Sequence, residues 1–152
     1  MLYLNNKFFI LSFWYLYPVL GLAGDYPCIY LTIRIKNEAQ SACHLVGFKM
    51  VSGYVQGANL NDIPLVIPVG QTSASFMVAE DFSDKLDLDL TYECGENKTV
   101  KFDMQKGLCR YNAVVTGSVL STTNLDAKFE ASNGLYWDNK PASIVWTLSD
   151  IS

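Results

Sequence analysis

Residues 86–105 alternate between apolar and polar side chains on both sides of a short turn, which constrains the fold more than any other feature. The apolar positions before and after the turn are Leu86, Leu88, Leu90, Tyr92, Val100, Phe102 and Met104. Gly95, Glu96 and Asn97 separate the two halves. A period of two on each side of a Gly/Asn turn is typical of a half-buried β-hairpin.

The same alternation recurs along most of the chain and predicts strands over 28–36, 43–51, 64–70, 74–78, 111–120, 125–130 and 144–148. In the second of these strands, Val46, Phe48 and Met50 are predicted to share one face. Prolines put the third strand at a sheet edge, and Gly117 is predicted to mark a bulge. We therefore predict an all-β chain, a single antiparallel β-sandwich of about eight or nine strands, with a barrel as the alternative.

The first segment differs from the rest and has the pattern of a secretory signal peptide. Lys7 precedes an apolar run that ends in small residues at Ala23, where we predict cleavage. A membrane anchor is disfavoured because the run is shorter than the roughly 20 residues that a spanning helix needs and contains Pro18. The predicted organisation is a signal peptide over 1–23 and one sandwich domain over 24–152, secreted or periplasmic.

The charge balance excludes some partners. The chain has a formal net charge of −4, and loss of residues 1–23 leaves ten basic and fifteen acidic side chains, a net charge of −5. No basic block remains. Nucleic acid and strongly anionic membranes are therefore disfavoured, because binding to both depends on clustered Lys and Arg.

Four cysteines follow the predicted cleavage point: Cys28, Cys43, Cys94 and Cys109. An even number in an exported chain predicts disulfides, and three pairings are possible. We predict Cys28–Cys43 and Cys94–Cys109, because each pair brackets one turn region. Loops of that length would each stabilise the fold by roughly 3 kcal/mol. Neither Cys-x-x-Cys spacing nor a set of histidines is present, so no metal or cofactor is expected.

Two features are candidates for catalysis. His44 is the single histidine, and any Ser-His-Asp or Cys-His catalyst would use it. The interpretation that we favour is a partly buried strand histidine. An acidic run over 80–89 comprises Glu80, Asp81, Asp84, Asp87 and Asp89. It would suit calcium or a glycosidase pair, but the spacing is not that of an EF-hand, and we favour a solvated face. A small secreted hydrolase that uses His44 or this cluster is the alternative function.

The loop over 133–139 is the candidate binding site. Tyr136 and Trp137 are adjacent within Gly and Asn turn residues, and such aromatics are favoured at interfaces. In the alternative interpretation, Trp137 folds under the loop and caps one end of the sandwich. We predict that both aromatics are exposed and form the contact surface of a non-enzymatic module that binds a lipid, glycan or protein surface.

Three segments carry a family resemblance: a strand before an Asn turn (33–37), the segment Ile67-Pro68-Val69-Gly70, and a late strand that contains Trp146. In these segments the chain resembles the aegerolysins, small acidic β-sandwich proteins that bind membrane lipids and recruit pore-forming partners. The resemblance implies a binding module and spans most of the chain after residue 23. The paired cysteines depart from that family, and no lipid-binding residue is carried over.

Overall fold

A computed structural model describes residues 27–56, 62–81, 84–110, 112–138 and 140–151. This part of the chain is all β, with one short 3-10 turn at Pro27–Ile29. The predicted signal peptide lies outside the described residues. Within those residues, no helix has the length and apolar character needed to cross a bilayer.

The described residues form twelve strands: β1 (Tyr30–Asn37), β2 (Cys43–Ser52), β3 (Tyr54–Val55), β4 (Val66–Ile67), β5 (Phe76–Ala79), β6 (Leu86–Glu93), β7 (Thr99–Lys106), β8 (Asn112–Ala113), β9 (Val115–Thr123), β10 (Leu125–Ser132), β11 (Gly134–Leu135) and β12 (Ala142–Asp150). Four of them, β3, β4, β8 and β11, are two residues long. The eight longer strands agree with the predicted number, and the hairpin over residues 86–105 is confirmed as β6 and β7.

The longer strands lie in two five-stranded sheets, which makes the predicted sandwich. The first sheet has the order β10-β12-β1-β5-β3, and the second has β4-β2-β6-β7-β9. A small third sheet pairs β8 with β11. The pairing is antiparallel except between β1 and β12, which run parallel with Leu31 opposite Ala142. A parallel pair needs a long connection, and here the chain between the first and last strands provides it.

The core lies between the two sheets, where the alternating apolar residues of both meet. Phe102 of the second sheet stacks on Trp146 of the first, with 4.2 Å between ring centroids. Phe129 tilts against the same indole at 5.0 Å. Trp146 and Phe102 are completely buried. This aromatic cluster therefore joins the two sheets in the middle of the sandwich.

The predicted inner face of β2 is wrong at one residue. The register between β2 and β6 shifts between Leu45 and Gly47, which is a β-bulge. Leu45, Phe48 and Met50 pack against the core, whereas Val46 is 55% exposed. An inserted residue reverses the alternation, so a pattern with a strict period of two assigned Val46 to the wrong face.

The bulge predicted at Gly117 is also misplaced, and the glycine has a different cause. The irregularity in β9 is at Leu120, because Lys101 opposes Ser121 while Phe102 opposes Val119. A Cβ atom on Gly117 would lie only 2.7 Å from Cζ2 of Trp146. The position is therefore occupied by glycine because the buried indole approaches the backbone closely.

We expect Gly117→Ala to lower the free energy of unfolding by about 1–3 kcal/mol, because overpacking a core of this kind costs that much. Urea denaturation would measure the loss. Gly107→Ala is the matched control, since a Cβ atom there would make only an ordinary 3.7 Å contact with the Val114 nitrogen. Equal stability of the two variants would show that the indole gives way to the methyl group.

All four cysteines are paired, but the predicted pairing is wrong. The disulfides are Cys28–Cys109, with Cα atoms 5.4 Å apart, and Cys43–Cys94, with Cα atoms 4.0 Å apart. Cys43 and Cys94 meet because β2 and β6 are neighbours, with His44 opposite Glu93. The prediction assumed that each bridge closes a local loop, whereas strand pairing joins residues that are distant in sequence.

Each disulfide lies at one end of the sandwich. Cys28 precedes β1 and Cys109 follows β7, so their bridge also connects the two sheets. We call this the near end. Cys43 begins β2 and Cys94 follows β6 at the opposite end, which we call the far end.

Candidate binding site at the near end

The candidate aromatics lie at the tip of a short hairpin at the near end. The Leu135 N–H donates to the Lys140 carbonyl at 2.9 Å, and the Lys140 N–H donates to the Leu135 carbonyl at 3.1 Å. Residues 136–138 therefore form the turn between these two positions.

The base of the hairpin is held by backbone and side-chain contacts. Gly134 lies opposite Ala113 in the β8–β11 pair. A Cβ atom on Gly134 would come within 3.1 Å of the Ala142 nitrogen, so the hairpin packs closely against the start of β12. The Asn133 Oδ1 atom accepts a 3.0 Å hydrogen bond from the Val115 N–H. These contacts fix the direction in which the tip projects, which reduces the ordering cost of binding.

Trp137 projects from this tip and is 76% exposed, so the alternative in which it caps the sandwich is wrong. Tyr136 is half-buried, and its ring meets the indole edge to face, with 5.1 Å between centroids. The tyrosine therefore supports one side of the indole while the other side faces solvent. The prediction that both aromatics are exposed is therefore confirmed for Trp137 and wrong for Tyr136, because the tyrosine ring packs against the neighbouring indole.

Val114 is an exposed apolar residue at the near end that sequence reasoning missed. The prediction of one strand over 111–120 placed it inside the regular alternation. In the structure, β8 ends at Ala113 and β9 begins at Val115. Val114 lies exposed between them, and its carbonyl accepts a 2.9 Å hydrogen bond from the Gly107 N–H. Nothing in the sequence pattern signals this interruption.

Below the hairpin lies a buried ion pair between Glu80 and Lys106. Lys106 Nζ donates to Glu80 Oε2 and, at 3.0 Å, to the Gly107 carbonyl. The Cys109 N–H donates to both carboxylate oxygens, at 2.9 and 3.1 Å. Burial lowers the pKa of Lys106, and Glu80 opposes that shift. Because Glu80 follows β5 and Lys106 ends β7, the pair joins the two sheets beside the Cys28–Cys109 disulfide.

The other members of the acidic run that lie on β6 are also paired. Asp89 lies 2.9 Å from Lys101 Nζ. Asp87 accepts a 3.1 Å hydrogen bond from Gln105. Within the ranges that the structure describes, no three His, Cys, Asp or Glu side chains are grouped as metal ligands. The solvated face that we favoured is therefore wrong at Glu80 and Asp89, which are buried and each paired with a lysine, whereas Asp81 and Asp84 are exposed.

His44 lies on β2 as predicted, but it is exposed rather than partly buried. It sits opposite Glu93 at the far end of the sheet. Asp89 lies opposite Lys49, five residues along the strand, which corresponds to about 16 Å. The structure therefore does not bring His44 and the acidic run into one catalytic group.

No protein-family model matches the chain, and no curated protein matches it by sequence. Solved structures do match. The lipid-binding protein Nakanori has 10% sequence identity and a TM-score of 0.57, with 80% of this chain and 71% of that chain covered. IP-1A from Alcaligenes faecalis has 11% identity and a TM-score of 0.53, with 83% and 94% covered. These likenesses show a shared β fold. Neither protein is described as an aegerolysin, so that resemblance stays a prediction.

Proposed function

We propose that this protein is a secreted or periplasmic, non-enzymatic binding module that docks reversibly on lipid surfaces through Tyr136 and Trp137. One observation carries the proposal: Trp137 is 76% exposed at the tip of a hairpin held by paired backbone hydrogen bonds. A large aromatic in such a position has an unfavourable contact with water that a binding partner would remove.

The chemistry of the tip favours a lipid partner over a glycan or protein. Trp and Tyr prefer the boundary between lipid tails and headgroups, because each combines an apolar ring with a polar group. The shared fold with a lipid-binding protein supports the same choice. The net charge of −4 argues against strongly anionic lipids. We therefore infer a zwitterionic surface.

The size of the tip indicates how strongly it binds. Burying a tryptophan removes about 200 Å² from water, which corresponds to about 4–5 kcal/mol before the costs of association. One indole alone thus gives weak, reversible docking. Exposed Val114 at the same end would add a smaller contribution.

The two disulfides support an exported location. Paired cysteines form and persist in oxidising compartments. The signal peptide and the boundary at residue 24 are part of this proposal.

We expect Trp137→Ala to weaken binding to phosphatidylcholine vesicles by more than about 1 kcal/mol, as removal of a binding hot spot does. Thermal unfolding should change little, since exposed side chains usually contribute less than about 0.5 kcal/mol. Vesicle co-sedimentation would measure binding. In the unaltered protein, bromine-labelled lipid should quench the fluorescence of Trp137 and leave that of buried Trp146 unchanged.

Leu65→Ala is the matched control. Leu65 is 58% exposed, and its carbonyl accepts a hydrogen bond from Leu45 near the far end. It should bind vesicles as the unaltered protein does. If Trp137→Ala and Leu65→Ala bind equally well, the hairpin is not the contact surface. If no vesicle of neutral or anionic composition binds the unaltered protein, the proposed lipid partner is wrong.

A further inference from the structure

The four edges of the two sheets differ in how they are protected. Exposed edge strands invite pairing with other chains, and proteins blunt them with short length, proline or charge. β3 and β4 are two residues long, and prolines stand close to both ends of β4. β10 is long but carries Asp126, Lys128 and Glu130 along it. Only β9, among the described edges, is both long and free of charge.

β9 extends over nine residues, Val115–Thr123, without a single charged side chain. Its last six residues are all exposed, and Leu120 at the bulge is 49% exposed. The strand pairs with β7 on one side, and no strand of the described chain pairs with the other. The bulge is the one feature of β9 that would hinder pairing with another strand, and it leaves the apolar Leu120 side chain exposed to solvent.

The backbone of β9 also presents hydrogen-bonding groups on this free side. The Val115 N–H points away from β7, because it donates to Asn133. In an antiparallel strand, alternate residues direct their N–H and C=O groups to the same side. Gly117 and Val119 therefore direct theirs outward as well, beyond the point that Asn133 covers.

We propose that β9 pairs antiparallel with β9 of a second copy of this chain, about a two-fold axis near Val119. The five-stranded sheet that contains β9 in one copy then continues into the same sheet of the other, which gives one sheet of ten strands. Two-fold dimers are the commonest oligomers, and an isologous contact requires a surface that complements itself. An uncharged strand of Ser, Thr, Val and Leu meets that requirement, because hydroxyl and β-branched side chains pair well across strands.

The absence of charge on β9 also favours association of two copies through this strand. The net charge of −5 after loss of residues 1–23 makes two copies repel each other, and that repulsion is smallest where neither brings a charged side chain. A nine-residue strand is about 30 Å long, so the contact is narrow compared with standard stable interfaces. We therefore expect a dimer whose population rises with concentration.

Antiparallel pairing also sets the orientation of the two copies. The near end of one lies beside the far end of the other. The two Trp137 tips then point in opposite directions, so one dimer does not place both on the same flat surface. The dimer itself does not depend on lipid binding and is tested without lipid.

The test uses sedimentation equilibrium of the full exported chain and a charge beside the proposed two-fold axis. Leu120→Lys should weaken self-association about tenfold or more, because the two lysines are then diagonal neighbours across the new strand pair, roughly 7–8 Å apart. Val69→Lys is the matched control, since Val69 is 53% exposed in the turn beyond β4. It should dimerise like the unaltered protein.

A charge swap makes the test specific. An equal mixture of Leu120→Lys and Leu120→Glu should associate more strongly than either variant alone, because opposite charges then lie diagonally across the axis from each other. Amide hydrogen exchange of Gly117 and Val119 should slow as the concentration of the unaltered protein rises. The proposal is overturned if the unaltered protein is monomeric at every soluble concentration, or if Val69→Lys and Leu120→Lys weaken association equally.

Discussion

Glu80→Gln is expected to lower the free energy of unfolding by about 3–5 kcal/mol, the usual cost of removing one partner from a buried ion pair. Lys106 is fully buried, and Glu80 is nearly so. The variant leaves the ammonium with the Gly107 carbonyl as a neutral partner and weakens the acceptor of the Cys109 N–H. Chemical denaturation at neutral pH would measure the loss.

Glu38→Gln is the matched control for this substitution. Glu38 pairs with Lys36, and both side chains are about half exposed. Removing this exposed pair should cost far less than removing the buried one, because water screens the charges. A loss of the same small size for Glu80→Gln would mean that Lys106 is not held as a buried charge.

The cost of Glu80→Gln should shrink as the pH rises. Burial already lowers the pKa of Lys106 from its ordinary 10.5, and Glu80 raises it again. Without Glu80 the folded-state pKa falls further, so between that value and 10.5 the unfolded chain binds more protons than the folded one. Stability then rises with pH through this window. Denaturation from neutral to alkaline pH should show the variant approaching the unaltered protein.

Replacing both Cys28 and Cys109 with Ala is expected to lower the free energy of unfolding by about 4 kcal/mol. The bridge spans 81 residues, and the chain-entropy model gives that magnitude for a loop of this size. Replacing Cys43 and Cys94, which are 51 residues apart, should cost nearly as much. Urea denaturation of the two double variants would test both values.

The losses of stability caused by Glu80→Gln and by replacing Cys28 and Cys109 should not be additive. Cys109 supplies the N–H that donates to Glu80, so losing the bridge also loosens the ion pair. Combining Glu80→Gln with the Cys28/Cys109 variant should therefore cost less than the sum of the two. Combining it with the Cys43/Cys94 variant should give close to the sum. Additivity in both combinations would show that the ion pair and its neighbouring disulfide act independently.

The parts of the fold that were predictable are those set by local alternation. The hairpin of β6 and β7 has no bulge, so a period of two identified its inner residues correctly. The same rule failed at Val46, where one inserted residue reverses the face of β2. It also could not distinguish a bulge at Gly117 from a close approach of Trp146, since only the packed structure brings that ring to the backbone.

The exposure of Trp137 was predictable from the sequence, but the partial burial of Tyr136 and the contacts that hold the loop were not. Adjacent Tyr136 and Trp137 within turn residues indicated an aromatic loop, and the structure shows it. The contacts that anchor it come from β8, Asn133 and the start of β12, which sequence spacing does not relate to the loop. The disulfide pairing failed for the same reason, because the neighbours of Cys28 and Cys43 are decided by strand order.

The parallel course of β1 and β12 has a practical consequence for handling the protein. β1 leaves the near end, so β12 must finish at the far end, where the Asp150 carboxylate accepts hydrogen bonds from Lys98 at 2.8 Å and from the Gln40 N–H at 3.0 Å. An affinity tag placed beyond the end of β12 would anchor the molecule to a sensor surface with Trp137 directed outward. A fusion joined ahead of Pro27 would instead crowd the hairpin, so the choice of terminus decides whether an immobilised sample can capture vesicles.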